Sequence, residues 1–198
     1  MEYKYILGLV SVVIAILSYS FYFHDIFNHK TKPHAFSWFI WGILMSISFY
    51  AQVYSKAGPG SWVIGFTALI CFFISFLAFR KGLKDIRLFD WVGLLGAFLA
   101  LFLWFVVKEP VLSVVLVTIT YSLGFFPTFR KSFNRPQDET WITFALNGLK
   151  FFISLFALSN ISLVTALYPL ALVIVNWLFV GMLFIRNKQL RHRIKGFH

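Results

Sequence analysis

Four polar residues recur at helical spacing inside one apolar segment: Thr143, Asn147, Lys150 and Ser154. Their separations of four, three and four residues place them on one face of a helix. Lys150 lies about nine residues from either end of the segment, which is roughly 13 Å from water at 1.5 Å per residue. A charge at that depth in a membrane is costly and is by default a functional-site hypothesis. Its expected chemistry is neutralisation of an anionic substrate or carriage of a coupling proton.

The composition is that of a polytopic membrane protein. Of 198 residues, 60% are hydrophobic, 21% aromatic and 13% charged, and the mean hydropathy is +0.80. A soluble domain carries about twice that share of charged residues. The net charge of +11 would favour nucleic acid in a soluble protein. Here the basic residues lie in loops and in the tail, so we expect contact with anionic lipid headgroups at the cytoplasmic face and no nucleic acid. Cys71 is the only cysteine, which excludes an intrachain disulfide.

Seven apolar segments must position these residues. We predict transmembrane helices at residues 5–23, 37–54, 62–79, 91–107, 111–126, 141–158 and 163–185, followed by a basic tail at 186–198. Gly and Pro turns or charged loops separate them. The first segment is interpreted as an uncleaved helix, with a signal peptide as the alternative. The predicted fold class is therefore an all-α polytopic membrane protein with seven transmembrane helices.

The basic residues predict the orientation of these helices. Fourteen Lys and Arg residues fall in the loops and tail on one side, three fall on the other, and Lys150 is the eighteenth. This asymmetry predicts that the fourteen are cytoplasmic. The N-terminus would then lie outside an inner or plasma membrane, with the C-terminus in the cytoplasm.

A short motif indicates an internal repeat. A basic residue, proline, three further residues, a hydroxyl and tryptophan occupy 32–38 and recur at 135–141. We predict two parallel three-helix repeats, 1–81 and 110–185, joined by a linker region, 82–109, that contains the fourth helix.

Three helices, a linker helix and three more helices resemble the PQ-loop and SWEET superfamily of membrane proteins. In that superfamily a Pro-Gln pair ends the first helix of each repeat, and a basic segment follows it. Here Pro127-Thr128 precedes Arg130 and Lys131 in the second repeat. The first repeat has His24-Asp25 at the equivalent place, without a proline.

The resemblance implies a substrate site between two three-helix bundles that rock about it. Such a site uses an asparagine on the last helix of a repeat together with nearby aromatic residues, and Asn176 is the matching residue. The third helix holds Thr67 and Cys71 instead of asparagine. Pro127 and Pro169 are the candidate hinges.

A second polar row occurs on the second helix, where Trp41, Met45, Ser48 and Gln52 repeat the four-three-four spacing. These residues either line the same cavity or serve ordinary helix packing. Lys150 likewise has an alternative role, as a structural lysine bonded to Asn147 or to carbonyls of a neighbouring helix.

An embedded enzyme is the third possibility. His24, His29 and His34, with Asp25, cluster around the first loop, but their spacings of five match no metal-ligand signature. We therefore expect no catalytic residue, no metal and no cofactor.

The sequence favours a transporter of a small polar metabolite, with anions as one class, that works by alternating access. Its predicted substrate-binding residues are Thr143, Asn147, Lys150, Ser154 and Asn176, with Trp41, Ser48 and Gln52 opposite. The alternative is a non-transporting receptor or assembly factor of the same fold. A homo-oligomer is left open.

Overall fold

The computed structural model describes residues 2–31, 33, 35–81, 88–134 and 136–195. Within these ranges it is all-helical and contains no strand, which confirms the predicted α class. The helices are α1 (Glu2–Phe27), α2 (Ala35–Tyr54), α3 (Trp62–Lys81), α4 (Leu88–Phe105), α5 (Pro110–Asn134), α6 (Trp141–Phe156) and α7 (Leu163–Lys195). Two short 3-10 turns, Gly58–Ser61 and Pro136–Asp138, precede α3 and α6.

Five of these helices are long and apolar enough to cross a membrane. They are Glu2–Phe27, Ala35–Tyr54, Gly58–Arg80, Pro110–Asn134 and Leu163–Leu190. Two shorter apolar helices, Trp91–Phe105 and Trp141–Phe156, accompany them. Because lipid-exposed backbone must satisfy its hydrogen bonds internally, long apolar helices of this kind indicate a membrane protein.

Helices α5 and α7 extend furthest beyond their predicted boundaries, and α1 exceeds its predicted range at both ends. Helix α5 continues through Pro127 to Asn134, and α7 continues from residue 185 to Lys195. The α7 extension is rich in Arg and Lys, which are good helix formers in water. Arg186 Nε also donates to the Phe133 carbonyl at 2.9 Å, which joins the two extensions. Hydropathy marks only the apolar part of such helices.

The helices pack in a regular set of pairs. In the first half, α3 contacts both α1 and α2; in the second half, α7 contacts both α5 and α6. Between the halves, α1 packs on α6 and α2 packs on α5. Helix α4 lies against α2 and α5. Each pairing within α1–α3 therefore has a counterpart within α5–α7.

At one end of the bundle, hydrogen bonds to backbone carbonyls join the two halves. We call it the Pro59 end; it comprises the start of α1, the α2–α3 turn and the α6–α7 turn. Ser159 N donates to the Ala57 carbonyl at 2.7 Å, and Lys4 Nζ donates to the Leu158 carbonyl at 2.8 Å. A Cβ atom added at Gly60 would lie 2.7 Å from the Ser154 carbonyl oxygen, so only glycine permits this approach.

Candidate functional site

The four-residue polar face lies on the buried side of α6. Thr143 and Ser154 are buried, Lys150 is completely buried, and Asn147 is 9% exposed. Helix α1 covers part of this face: Ser18 Oγ lies 3.0 Å from the Thr143 carbonyl oxygen and 3.1 Å from Asn147 Oδ1, and can donate to either. The spacing of these polar residues thus matches a helix face that packs on another helix, as an amphipathic pattern should.

Lys150 sits between α1 and α3 with neutral partners. Its Nζ donates to the Tyr19 hydroxyl at 3.2 Å and to Thr67 Oγ1 at 3.1 Å. The ammonium also lies over the Tyr19 ring, 4.2 Å from its centroid, and 4.7 Å from that of Phe151. These contacts include no carboxylate, and Asn147 is not among the hydrogen-bond partners. A buried cation held by hydroxyls and rings is retained at a large desolvation cost, which favours a functional reason for it.

A small internal cavity lies next to this lysine. Its volume is about 30 Å³, which is room for roughly one water molecule. Every helix except α4 contributes to its wall. A metabolite would fit only if the cavity widened, and we call the narrow arrangement seen here the closed form.

Half of the predicted binding residues line this cavity. Trp41, Thr143, Asn147 and Asn176 are in its wall and come from α2, α6 and α7. The structure does not place Ser48, Gln52, Lys150 or Ser154 in the wall.

Lys150 lies directly behind the cavity wall. Tyr19 and Phe151 both line the cavity, and both contact the ammonium. These two rings therefore lie between the Lys150 ammonium and the cavity. A cation at this place favours negative charge inside the cavity.

Asn176 is hydrogen-bonded within its own helix. Its Nδ2 donates to the Leu172 carbonyl at 2.7 Å, one turn earlier in α7. Tyr121 of α5 lines the same cavity. The bond to Leu172 restrains the orientation of the carboxamide at the edge of the cavity, as a binding residue requires.

Most of the aromatic residues that line the cavity are not indicated by the sequence pattern. Besides Trp41, eight aromatic or sulfur-containing residues of the wall were not predicted as site residues: Tyr19, Tyr22, Trp38, Cys71, Tyr121, Phe125, Phe144 and Phe151. A further apolar member is Met45, which the second-helix row contained. A chain with 26 phenylalanines offers little contrast to single them out. The sequence feature that could have indicated these residues is the Trp38–Trp41 pair. The ring centroids of the two tryptophans are 5.3 Å apart.

Gln52 replaces the backbone hydrogen bond that Pro169 removes from α7. Because proline has no N–H, the carbonyl four residues earlier, that of Thr165, has no donor within the helix. Gln52 Nε2 donates to this carbonyl at 2.8 Å across the α2–α7 contact. Close to this bond, Ser48 Oγ, Gln52 Oε1 and the Tyr168 hydroxyl are buried without a hydrogen-bond partner in the described chain. Ser48 lies one helical turn from Gln52, and Tyr168 one turn from Thr165.

The histidine cluster does not form a metal site within the described residues. His24 Nε2 pairs with Asn28 Nδ2 at 2.9 Å, and the Asp25 carboxylate accepts a hydrogen bond from Thr140 Oγ1. No group of three or more His, Cys, Asp or Glu side chains gathers in the described ranges. His34 lies outside those ranges.

The two proline positions differ in what the structure describes. Helix α5 runs through Pro127 without ending there, and its side chain lies outside the described ones. Pro169 lies inside α7, where Gln52 compensates for its missing donor.

Comparison with known proteins gives no match to a family model, to a curated protein or to a solved structure.

Proposed function

We propose that the chain is an integral membrane transporter that moves a small polar metabolite, preferably an anion, by alternating access. The observation that carries the proposal is the buried cavity between the two halves, which brings together Asn147 and Asn176 with Trp41. Apolar and aromatic walls with a few fixed polar groups are typical of sites for small molecules.

The proposed architecture is seven spans in two parallel three-helix repeats with α4 as linker, similar to the PQ-loop and SWEET superfamily. The matched helix pairings of the two halves support it. Helices α4 and α6, although short, are apolar and occupy places within the same bundle. Short spans can be accommodated by local thinning of the bilayer.

The proposed orientation puts the Pro59 end outside, at an inner or plasma membrane. It follows from the excess of basic residues at the opposite end. Four of the fourteen basic residues that support it lie outside the described ranges: Lys32, Lys84, Arg87 and Arg135. The remaining ten still outnumber Lys4, Lys56 and Lys108.

The anionic preference rests on Lys150. The wall of the cavity contains no carboxylate, and the ammonium lies behind Tyr19 and Phe151. An anion that entered the cavity would be attracted by Lys150 through a medium of low dielectric constant. Asn147 and Asn176 would supply the directional hydrogen bonds.

The closed form indicates how the cavity would open. The α1–α6 contact carries hydrogen bonds along its length, from Lys4 to Ser18. The α2–α5 contact is made by rings: Trp41 packs on Tyr121 at 6.1 Å and on Phe125 at 5.9 Å. Ring contacts can slide without leaving polar groups unpaired, so we infer that α2 and α5 separate while α1 and α6 stay together.

The experiment is a thermal-shift screen of the purified protein against neutral, cationic and anionic metabolites. Wild type, Asn176→Ala and Asn147→Ala are compared with Asn134→Ala, an exposed asparagine far along α5. Stabilisation of wild type and Asn134→Ala by an anion, lost in the two cavity variants, supports the proposal. Equal stabilisation of all four proteins, or of none by any metabolite, would contradict it.

A second function, a non-transporting receptor or assembly factor, is favoured by one observation. Hydrogen bonds join the two halves near both ends of α1, from Lys4 to Leu158 and from Thr140 to Asp25. Such bonds resist a rocking motion. A receptor would bind its ligand from one side only, and changes in the loops would abolish its function.

A further inference from the structure

A groove of about 400 Å³ opens on the surface at the Pro59 end. It is formed by the start of α1, the α2–α3 turn and the α6–α7 turn, and it shares no residue with the internal cavity. Its wall has three parts: a cation, Lys56; a polar floor with Ser61 and Ser159; and an apolar rim with Tyr5, Val53 and Trp62.

Lys56 is held in place by its backbone while its ammonium is unengaged. Its φ of 56° is in the left-handed region, and its N–H donates to the Val53 carbonyl at 3.0 Å. The next residue, Ala57, donates to the Gln52 carbonyl at 2.8 Å and accepts from Ser159 N at 2.7 Å. In the described chain no hydrogen bond or ion pair engages the Lys56 ammonium, whereas Lys4 is committed to the Leu158 carbonyl.

The rim places the groove at the depth of lipid headgroups. Tyr5 and Trp62 lie in the first turns of α1 and α3, where apolar helices begin. The centroids of the two rings are 5.8 Å apart. Tyr5 is 55% exposed and Trp62 is 37% exposed. Tyr and Trp with exposed rings at helix ends are typical of the membrane–water interface.

We propose that this groove binds an anionic phospholipid, with the phosphate at Lys56 and the glycerol backbone against Trp62 and Tyr5. A cation next to an apolar rim matches a molecule that carries its charge on an apolar body. Lys56 could also bind free phosphate, but free phosphate has no apolar part that would pack against the aromatic rim. The exposed Val53 continues the rim toward the acyl chains.

A bound lipid would contact both halves of the protein. Ser159 belongs to the α6–α7 turn, and the other residues of the groove belong to the first half. The lipid would therefore favour the form in which the Pro59 end is closed, whether or not the protein transports anything.

The test uses full-length protein in nanodiscs of phosphatidylcholine alone or with phosphatidylglycerol. Lys56→Gln is compared with Lys108→Gln, a matched control because Lys108 is also exposed and has a φ of 59° in another turn. Phosphatidylglycerol is expected to raise the Tm of wild type and Lys108→Gln by about 3 °C and that of Lys56→Gln by much less. Lys56→Arg should behave as wild type.

Three further results decide the outcome. Native mass spectrometry should show phosphatidylglycerol retained by wild type and lost in Ser159→Phe, which fills the groove without changing charge and replaces Lys56→Gln if that variant does not fold. Inorganic phosphate added to phosphatidylcholine nanodiscs should give no stabilisation; a full effect would assign the groove to free phosphate and overturn the lipid. An equal effect of phosphatidylglycerol on Lys56→Gln and Lys108→Gln would also overturn the proposal.

Discussion

Gln52 on α2 donates a 2.8 Å hydrogen bond to the Thr165 carbonyl on α7, the carbonyl that Pro169 leaves without a helical donor. A glutamine in one half of the protein thus replaces a helical hydrogen bond that is missing in the other half. In a membrane an unpaired carbonyl costs several kcal/mol, so this bond holds α2 against α7 near Pro169. If α7 bends at Pro169 during transport, this bond is the one that must be exchanged.

The first prediction is an energetic coupling between Gln52 and Pro169. Gln52→Met should destabilise the protein by about 1–3 kcal/mol, because it leaves the Thr165 carbonyl unpaired. Pro169→Ala restores an N–H to that carbonyl, so Gln52→Met should cost much less in its background. A double-mutant cycle of unfolding in mixed detergent measures the coupling. Additive effects would show that the bond has no energetic role.

The second prediction concerns the charge of Lys150. Lys150→Met replaces a fully buried ammonium by an apolar chain of similar length, while the hydroxyls of Tyr19 and Thr67 remain close to one another. We expect stability to be unchanged or raised by about 1–3 kcal/mol, because a desolvated charge is removed.

The same variant should lose its preference for anionic over neutral ligands in the thermal-shift screen. Lys188→Met, at an exposed position on α7, is the control for the change in net charge. A Lys150→Met protein that unfolds but binds anions normally when folded would make Lys150 a structural residue.

The third prediction tests the close contact at the Pro59 end. A Cβ atom at Gly60 would meet the Ser154 carbonyl oxygen at 2.7 Å and Leu158 N at 2.8 Å. Both are backbone atoms that cannot rotate away, so Gly60→Ala should destabilise the protein by about 2 kcal/mol or more.

Gly181→Ala is the matched control for Gly60→Ala. Nothing lies within 4 Å of an added Cβ atom there, and Gly181 is inside α7. This substitution should stabilise the protein by about 0.5–1 kcal/mol through helix propensity. Thermal unfolding of the two variants side by side measures the difference, and similar midpoints would refute the close packing.

The sequence predicted the helical class and the α6 face because both depend on local patterns. Hydropathy marks apolar helices, and the four-three-four spacing of Thr143 to Ser154 marks a face, whatever the tertiary structure is. The sequence predicts that Lys150 lies about nine residues from either end of its helix; in the structure it is nine residues from Trp141 but six from Phe156, because α6 ends earlier than predicted. These features need no knowledge of what packs against them.

The remaining features depend on contacts between helices. That Gln52 faces the Pro169 break, or that Tyr19 separates Lys150 from the cavity, requires the relative rotation of α1, α2, α6 and α7. The spacing of residues within one helix does not predict how that helix is rotated relative to its neighbours. The predicted end of α5 at residue 126 is too early because hydropathy marks only the apolar part of the helix, and a membrane helix tolerates a proline such as Pro127.

The central claim is that the cavity opens alternately to the two sides of the membrane. The most direct measurement places a single cysteine at Met45 in a Cys71→Ser background and applies membrane-impermeant thiol reagents from either side of sealed vesicles. Because Met45 lines the cavity and is not one of the proposed ligand-binding residues, an alternating-access transporter predicts that each side reaches it, and that a stabilising anion slows both reactions. Reaction from one side only, unchanged by any ligand, would contradict transport and support the receptor.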